Sequence, residues 1–268
     1  MTSMSDAIAI PSAERSFQVA AVGTIAWHEL AAADPSVAID FYGRVFGWQA
    51  ERKEFEPGVE YVTWSLGGFP VAGMLPLSAL RAGGQRSRWL PVVRTPNVDI
   101  VAARASELHG SLLAEPAGIQ GLSRHATVAD PTGAGFGLLC ALDGEAMRGP
   151  GCVGWTELRT VDPVQAAIFY WQVFGWQAVA AGSLRDHPCT AFTYAGSRMA
   201  SLARIEPRRE RVSRWLPCIE ISDLEHTLAA ATAAGGQVVE PPASHPILGE
   251  TAVIDDPQGG EFQVFRRG

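Results

Sequence analysis

The chain has 268 residues, a net charge of −7 and an apolar content of 47%. This length suits one or two domains, and the negative charge disfavours nucleic acid or an anionic membrane surface as a partner. No apolar run approaches the roughly 20 residues that span a bilayer, and the start of the chain lacks the regions of a signal peptide. The four cysteines show no metal-like spacing, so we expect a reduced, cytoplasmic protein.

The first strand is predicted at 22–31, where Trp27 and Glu29 share one face. A helix follows, because Asp34 can cap its free amide groups, Pro35 is preorganised at its first position and Gly47 can end it in the left-handed conformation. Further strands are predicted at 48–55, 59–66 and 69–75, the last two separated by Gly67-Gly68.

The second module repeats this order, with a strand from Trp89 to Thr95 and a helix from Val98 to His109. Each predicted helix has a capping residue 13 positions before a glycine. The four pairs are Asp34 and Gly47, Asn97 and Gly110, Asp162 and Gly175, and Asp223 and Gly236.

Residues 27–50 recur at 155–178, with 14 of 24 positions identical. A repeat of this length indicates two copies of one domain, and the helix spacing divides each copy into two modules. Four β-α-β-β-β modules predict an α+β protein with two eight-stranded curled sheets. The predicted organisation is a mobile tail at 1–20, a first domain at 21–140, a linker at 141–151 and a second domain at 152–268.

The F-Y-x(2)-V-F-G-W block after a capping Asp-Pro, with D-P-x-G before a final strand, resembles the vicinal oxygen chelate superfamily. This group contains glyoxalase I, extradiol dioxygenases and bleomycin-resistance proteins. The resemblance covers about residues 22–267, and the tandem arrangement is similar to that of glyoxalase-like bacterial proteins. It implies the fold more strongly than any one activity.

The resemblance also implies where a divalent metal would be bound, in slots on the first and last strands of each module. Seven of the eight side chains in these slots cannot bind a metal, and the eighth is an amide. We therefore expect no metal and no other cofactor. The slots are Trp27, Leu90, Trp155 and Leu216 on first strands, and Ala72, Gly137, Ala200 and Gln263 on last strands.

Trp27 and Trp155 stand in place of metal ligands and offer flat apolar surfaces for a planar ligand. Each could equally be a core residue that closes its domain. Glu29 and Glu157 lie on the same strand faces as these tryptophans. If such a glutamate is buried, its pKa could rise enough for it to act as a general base. The alternative is a carboxylate at the rim that pairs with an arginine.

In the first half, Arg94 and His125 are predicted to converge with Glu29, so that Glu29 and His125 are the candidate catalytic pair. In the second half, the candidate ligand-binding residues differ in charge from those of the first half. The alternative for this half is a non-standard ion site formed by Glu157, Glu220 and Glu261. The candidate ligand-binding residues of this half are Trp155, Glu157, Glu220, Glu261 and Gln263. His28 points away from Trp27 and Glu29 and is expected at a surface or between domains, while His245 is expected in a loop.

The leading hypothesis is a metal-independent small-molecule binding protein that holds a planar or aromatic ligand in a tryptophan-lined cup. The alternative is a lyase, isomerase or dioxygenase-like enzyme that uses Glu29 and His125 or a displaced divalent metal. A third possibility is a dimerisation module with closed cups. The protein is expected to be a monomer or a homodimer that binds a small-molecule ligand, with no nucleic acid or membrane partner.

Overall fold

The computed structural model describes residues 23–56, 59–80, 86–118, 124–140, 148–184, 187–205 and 213–267. The first half contains β1 (Ile25–Ala32), α1 (Pro35–Phe46), β2 (Gln49–Glu56), β3 (Val59–Leu66), β4 (Phe69–Pro76), β5 (Arg88–Arg94), α2 (Val98–Glu107), β6 (Ser111–Gly118), β7 (Arg124–Ala129) and β8 (Gly135–Leu139). The second half contains β9 (Val153–Thr160), α3 (Pro163–Phe174), β10 (Gln177–Leu184), β11 (His187–Tyr194), β12 (Ser197–Arg204), β13 (Arg214–Glu220), α4 (Leu224–Ala233), β14 (Gln237–His245), β15 (Gly249–Asp255) and β16 (Glu261–Arg266).

Each half forms one eight-stranded sheet. The first sheet has the order β2-β3-β4-β1-β5-β8-β7-β6, and the second has the matching order β10-β11-β12-β9-β13-β16-β15-β14. The first strands of the two modules in each half pair antiparallel at the centre of the sheet. The predicted α+β fold with two curled sheets is confirmed, and the modules pair in chain order.

The helix caps follow the predicted chemistry at α1 and α3. The Asp34 carboxylate accepts hydrogen bonds from the Ser36 and Val37 amides, and the Asp162 carboxylate accepts one from the Gln165 amide. Gly47 and Gly175 end these helices with φ of 71° and 76°. Both are left-handed conformations that favour glycine.

The predicted ends of α2 and α4 are wrong. These helices have 10 residues and α1 has 12, so the four helices do not have one length. In the first half His109 itself takes a positive φ of 67°, and Gly110 already continues toward β6. A Cβ atom on Gly110 would lie 2.7 Å from the Ala129 carbonyl oxygen, so this glycine is needed for close approach rather than for its φ.

The helix-bearing faces of the two sheets meet in the middle of the molecule. Helix α1 packs on α4 and α2 packs on α3, so the two largest hydrophobic clusters contain residues from both halves. The Trp48 indole donates to the Gly151 carbonyl at 2.7 Å, and the Trp176 indole donates to the Gly23 carbonyl at 2.6 Å. The opposite, concave faces are the two cups, named here the first cup and the second cup.

No helix in the described parts of the chain has the length and apolar character needed to cross a membrane. The predicted mobile tail at 1–20 lies outside the described residues, and so do positions 141–147 of the predicted linker.

Candidate functional site

The first cup is built around a chain of hydrogen bonds that joins Trp27, Tyr61 and Glu29. The Trp27 indole donates to the Tyr61 hydroxyl at 3.1 Å, and that hydroxyl donates to Oε1 of Glu29 at 2.8 Å. Gly73 lies opposite Glu29 on β4. A Cβ atom on Gly73 would lie 1.8 Å from the Tyr61 hydroxyl oxygen, so only glycine leaves room for this tyrosine.

Burial changes the acidity of both oxygen groups in the first cup. It raises the pKa of Glu29, and the hydrogen bond from Tyr61 opposes this rise without cancelling it. Burial and the charge of Glu29 raise the pKa of Tyr61 well above its ordinary value. Glu29 therefore holds a proton more readily than an ordinary glutamate, while Tyr61 remains a neutral hydroxyl.

Arg94 and His125 lie at the other end of the first cup from Glu29. Glu29 pairs with Leu90 on β5, and Arg94 is four residues farther along this strand, or about 13 Å at 3.3 Å per residue. Arg94 and His125 flank Leu139 in one row across the sheet. The predicted catalytic pair of Glu29 and His125 therefore lies in separate rows of the sheet, four residues apart along β5.

His28 faces the boundary between the halves. Its Nε2 lies 2.7 Å from the hydroxyl of Thr156, the residue that occupies the same position in the second half. Burial lowers the pKa of His28 to about 3, so it is a neutral interdomain residue.

The second cup places a fully buried carboxylate, Glu157, at the position of Glu29. The Arg159 guanidinium donates to Oε1 of Glu157 at 2.5 Å, and the Ser201 hydroxyl donates to Oε2 at 2.9 Å. The Trp155 indole donates to Ser201 at 3.0 Å. Burial alone would raise the pKa of Glu157. The charge of Arg159 and the hydrogen bonds from His245 and Ser201 outweigh this effect and lower the pKa to about 2.

His245 completes the environment of Glu157 and is buried at the end of β14, contrary to the predicted loop position. Its Nδ1 accepts hydrogen bonds from the Ile247 and Leu248 amides at 3.1 and 3.2 Å. The ring hydrogen is then on Nε2, which lies 2.7 Å from Oε2 of Glu157. The histidine is thereby oriented as a hydrogen-bond donor to the carboxylate.

Arg159 also contacts Glu240 at 3.2 Å and Oε1 of Gln263 at 3.3 Å, so one buried guanidinium joins three acceptors. The other predicted acidic residues lie elsewhere. Glu220 is 3.4 Å from Arg267, and Glu261 pairs with Arg214. The alternative ion site of Glu157, Glu220 and Glu261 is therefore not assembled.

A different group of side chains in the second cup has the chemistry of a metal site. Glu157, Cys189 and His245 offer a carboxylate oxygen, a thiol sulfur and an imidazole nitrogen, all within 4.8 Å of one another and all buried. Ligand atoms that share a zinc ion lie about 3–4 Å apart, given bond lengths of roughly 2.0–2.3 Å. Binding a divalent ion here requires a small contraction, loss of the thiol proton and release of the Nε2 hydrogen that His245 donates to Glu157.

The two cups differ in what fills them. The second-cup residues Arg159, Glu240 and Gln263 correspond to Ala31, Ala114 and Gly137 in the first cup. Small side chains thus replace a buried ionic network. Sequence reasoning missed Tyr61, Cys189, Ser201 and Arg159, although superposing the two halves at an offset of 128 residues would have placed each opposite its counterpart.

A manganese-containing protein shares this fold. The Mn(II)-bound glyoxalase from Novosphingobium aromaticivorans superposes with a TM-score of 0.60 at 14% identity, over 91% of this chain and 82% of that one. The expectation of a protein without a cofactor is wrong: metal-containing neighbours share the fold, and Glu157, Cys189 and His245 form a candidate metal site that the slot comparison did not consider.

Comparisons of sequence give the family. The Glyoxalase/Bleomycin resistance protein/Dioxygenase superfamily matches residues 153–264. The putative glyoxylase CFP32 of Mycobacterium bovis is 30% identical over 253 residues, which cover 91% of this chain and 95% of that protein. The anthracycline biosynthesis protein DauV of Streptomyces sp. strain C5 is 29% identical, over 91% of this chain and 93% of that protein. The chain belongs to the glyoxalase/bleomycin resistance protein/dioxygenase superfamily.

Proposed function

We propose that the first cup binds a planar, partly aromatic small molecule against Trp27. The observation that carries this proposal is the difference in exposure between the cups. Trp27, Tyr61 and Glu29 are partly exposed, whereas Glu157 in the second cup is fully buried. A ligand can reach the carboxylate in the first cup without breaking an ion pair.

The lining of the first cup supports the same proposal. Ala31, Ala114 and Gly137 take the places of the long charged side chains of the second cup, and Ala31 and Ala114 pack with Leu77, Leu80 and Leu90 in an apolar cluster. An indole face beside a few polar groups is a common way to bind and orient a flat ligand. The name of one relative, an anthracycline biosynthesis protein, is in keeping with an aromatic ligand.

The first cup also has a group that can transfer a proton. The raised pKa of Glu29 brings it closer to the range in which a carboxylate acts as a general acid or base near neutral pH. A lyase or isomerase step on the bound molecule would use Glu29 for this purpose. Tyr61 would hold the carboxylate in place.

We also propose that Glu157, Cys189 and His245 hold a divalent ion in the second cup. Imidazole, carboxylate and thiolate together suit zinc and related ions. Such an ion, when bound, would supply positive charge in the core of this half. Burial and the charge of Glu157 raise the pKa of Cys189 to about 12, so binding must displace its proton.

A direct test of the ligand site uses 2-naphthol as a planar probe and isothermal titration calorimetry. Trp27→Ala should weaken binding by about 1–3 kcal/mol because the variant loses the buried aromatic surface. Trp155→Ala is the matched control in the second cup and should leave the affinity unchanged. Equal affinities of wild type and Trp27→Ala would place the ligand elsewhere.

The metal site is tested by titrating the chelator-treated protein with zinc or manganese and measuring bound metal by mass spectrometry. We expect about one ion per chain, and Cys189→Ser should reduce binding by about 10–100-fold or more. Cys218→Ser is the control, because this buried cysteine lies outside the three ligands. No retained metal in wild type at neutral or alkaline pH would reject the site.

A further inference from the structure

Both cups place a hydroxyl group between the tryptophan and the glutamate of the first strand, but they obtain it from different residues. In the first cup it is the Tyr61 hydroxyl, 3.1 Å from the Trp27 indole nitrogen and 2.8 Å from Glu29. In the second cup it is the Ser201 hydroxyl, 3.0 Å from Trp155 and 2.9 Å from Glu157.

The two cups supply this hydroxyl from different residues because they differ at two equivalent positions. Tyr61 corresponds to Cys189, and Gly73 corresponds to Ser201. A Cβ atom on Gly73 would lie 1.8 Å from the Tyr61 hydroxyl oxygen, so a serine there would displace the tyrosine. In the second cup the small Cys189 on β11 accompanies Ser201 on β12, and in the first cup the large Tyr61 on β3 accompanies Gly73 on β4. The bridging hydroxyl is present in both cups.

The carboxylates differ in what their second oxygen contacts. In the second cup Oε1 of Glu157 accepts from Arg159, and Oε2 accepts from Ser201 and lies against His245. In the first cup, the described residues give Glu29 one hydrogen bond, from Tyr61 to Oε1. Within that part of the chain, Oε2 of Glu29 has no donor.

We propose that Oε2 of Glu29 accepts a hydrogen bond from a hydroxyl group on the planar ligand, so that the first cup selects neutral phenols. This inference rests on the proposed function of the first cup. A hydroxyl bonded to a carboxylate is a strong, charge-assisted contact. The position of Arg159 is occupied by Ala31 in the first cup, so Glu29 lacks the guanidinium that contacts its counterpart Glu157.

Tyr61 is the positioning residue of this site. Its hydroxyl accepts from Trp27 and donates to Oε1, which orients the carboxylate so that Oε2 is the oxygen left for the ligand. The raised pKa of Glu29 agrees with this arrangement, since a carboxylate of higher proton affinity is a better acceptor.

The experiment compares three probes of one shape by calorimetry at neutral pH: 2-naphthol, 2-methoxynaphthalene and 2-naphthoate. Wild type should bind 2-naphthol at least about tenfold more tightly than the ether, because the ether cannot donate a hydrogen bond. It should bind the carboxylate most weakly. Equal affinity for 2-naphthol and its ether, or preference for 2-naphthoate, overturns this inference but leaves a planar-ligand site in place. Binding of none of the three overturns the proposed function and this inference with it.

Variants separate positioning by Tyr61 from a general effect on folding. Tyr61→Phe and Glu29→Gln should each reduce the preference for 2-naphthol over its ether by about tenfold. The double variant Tyr61→Cys with Gly73→Ser copies the second cup and should restore the preference. Thermal unfolding is measured for every variant, and the affinity ratio is the decisive readout because a merely structural role would weaken both probes together. An unchanged ratio in Tyr61→Phe, or no restoration in a folded double variant, overturns the positioning role.

Discussion

Glu29 and Glu157 occupy equivalent positions, yet their surroundings give them opposite acid–base properties. Both are placed among apolar neighbours by the first strand of their half, and burial raises the pKa of each. Glu157 is in contact with the guanidinium of Arg159, which lies two residues away on the same face of β9. Glu29 thus has a raised pKa, whereas Glu157 is one side of a buried ion pair.

The pKa of Glu29 predicts a pH-dependent effect of Glu29→Gln on stability. Because the folded-state pKa is raised, ionising Glu29 costs folding free energy, and this cost disappears as the pH falls below the ordinary value of 4.5. Glu29→Gln should therefore increase the free energy of unfolding at neutral pH and have a smaller effect at pH 4. Urea unfolding at the two pH values measures the difference, and a variant that is less stable at neutral pH would contradict it.

Glu157→Gln should have the opposite effect. The folded-state pKa of Glu157 is about 2, so its ion pair stabilises the protein above pH 4.5 and this contribution is lost only as the pH falls toward 2. Leaving Arg159 buried without this partner should cost about 3–5 kcal/mol. Urea unfolding of the metal-free protein at neutral pH tests this, with Glu250→Gln, from an exposed ion pair, as the control. A loss below about 1 kcal/mol would show that Glu240 alone satisfies Arg159.

At the scale of elements, much of the fold could be predicted because its signals are local. Asp34 with Pro35 and Gly47 specify both ends of α1, and Gly67-Gly68 fixes the hairpin between β3 and β4. The sequence predicts that α2 runs to His109 and stops at Gly110, but the helix ends at Glu107. The role of Gly110 is to admit the Ala129 carbonyl from a distant strand, which a local pattern does not contain.

The candidate site was harder to predict because its contacts cross strands. Trp27 and Glu29 were found by their alternation on one strand, whereas Tyr61 reaches Glu29 from β3 on the far side of β4. His245 was placed in a loop because Pro246 follows it. The expected convergence of Arg94 and His125 with Glu29 needed the strand register, which the sequence does not specify.

The fit of Tyr61 over Gly73 predicts strong coupling between two neighbouring strands. Gly73→Ser alone should push the Tyr61 hydroxyl from its place, break its bonds to Trp27 and Glu29 and cost about 1–3 kcal/mol. In a Tyr61→Cys background the same change should cost less or be favourable. A double-mutant cycle by urea unfolding measures this coupling. Additive effects would mean that Tyr61 moves aside without loss.

In the whole molecule, the two halves are joined by paired contacts that repeat the internal symmetry. The Tyr42 hydroxyl of α1 donates to Asp256 in the second half, and the Tyr170 hydroxyl of α3 donates to Asp130 in the first. Helices that would lie on the surface of an isolated half are buried here against the other half. The cups therefore face away from a shared core.

This shared core predicts that neither half is stable as a monomer. A chain cut within residues 141–147 should give two fragments that associate one to one when coexpressed, because α1 packs on α4 and α2 on α3 across the boundary. A fragment expressed alone should self-associate through the same helix faces or fail to fold, since it would expose large aromatic side chains such as Phe41 and Tyr42. Sedimentation equilibrium and circular dichroism of the fragments, separately and mixed, measure both properties. A folded, monomeric half would show that each sheet is stable without the other, and the common core would then add only to the orientation of the cups.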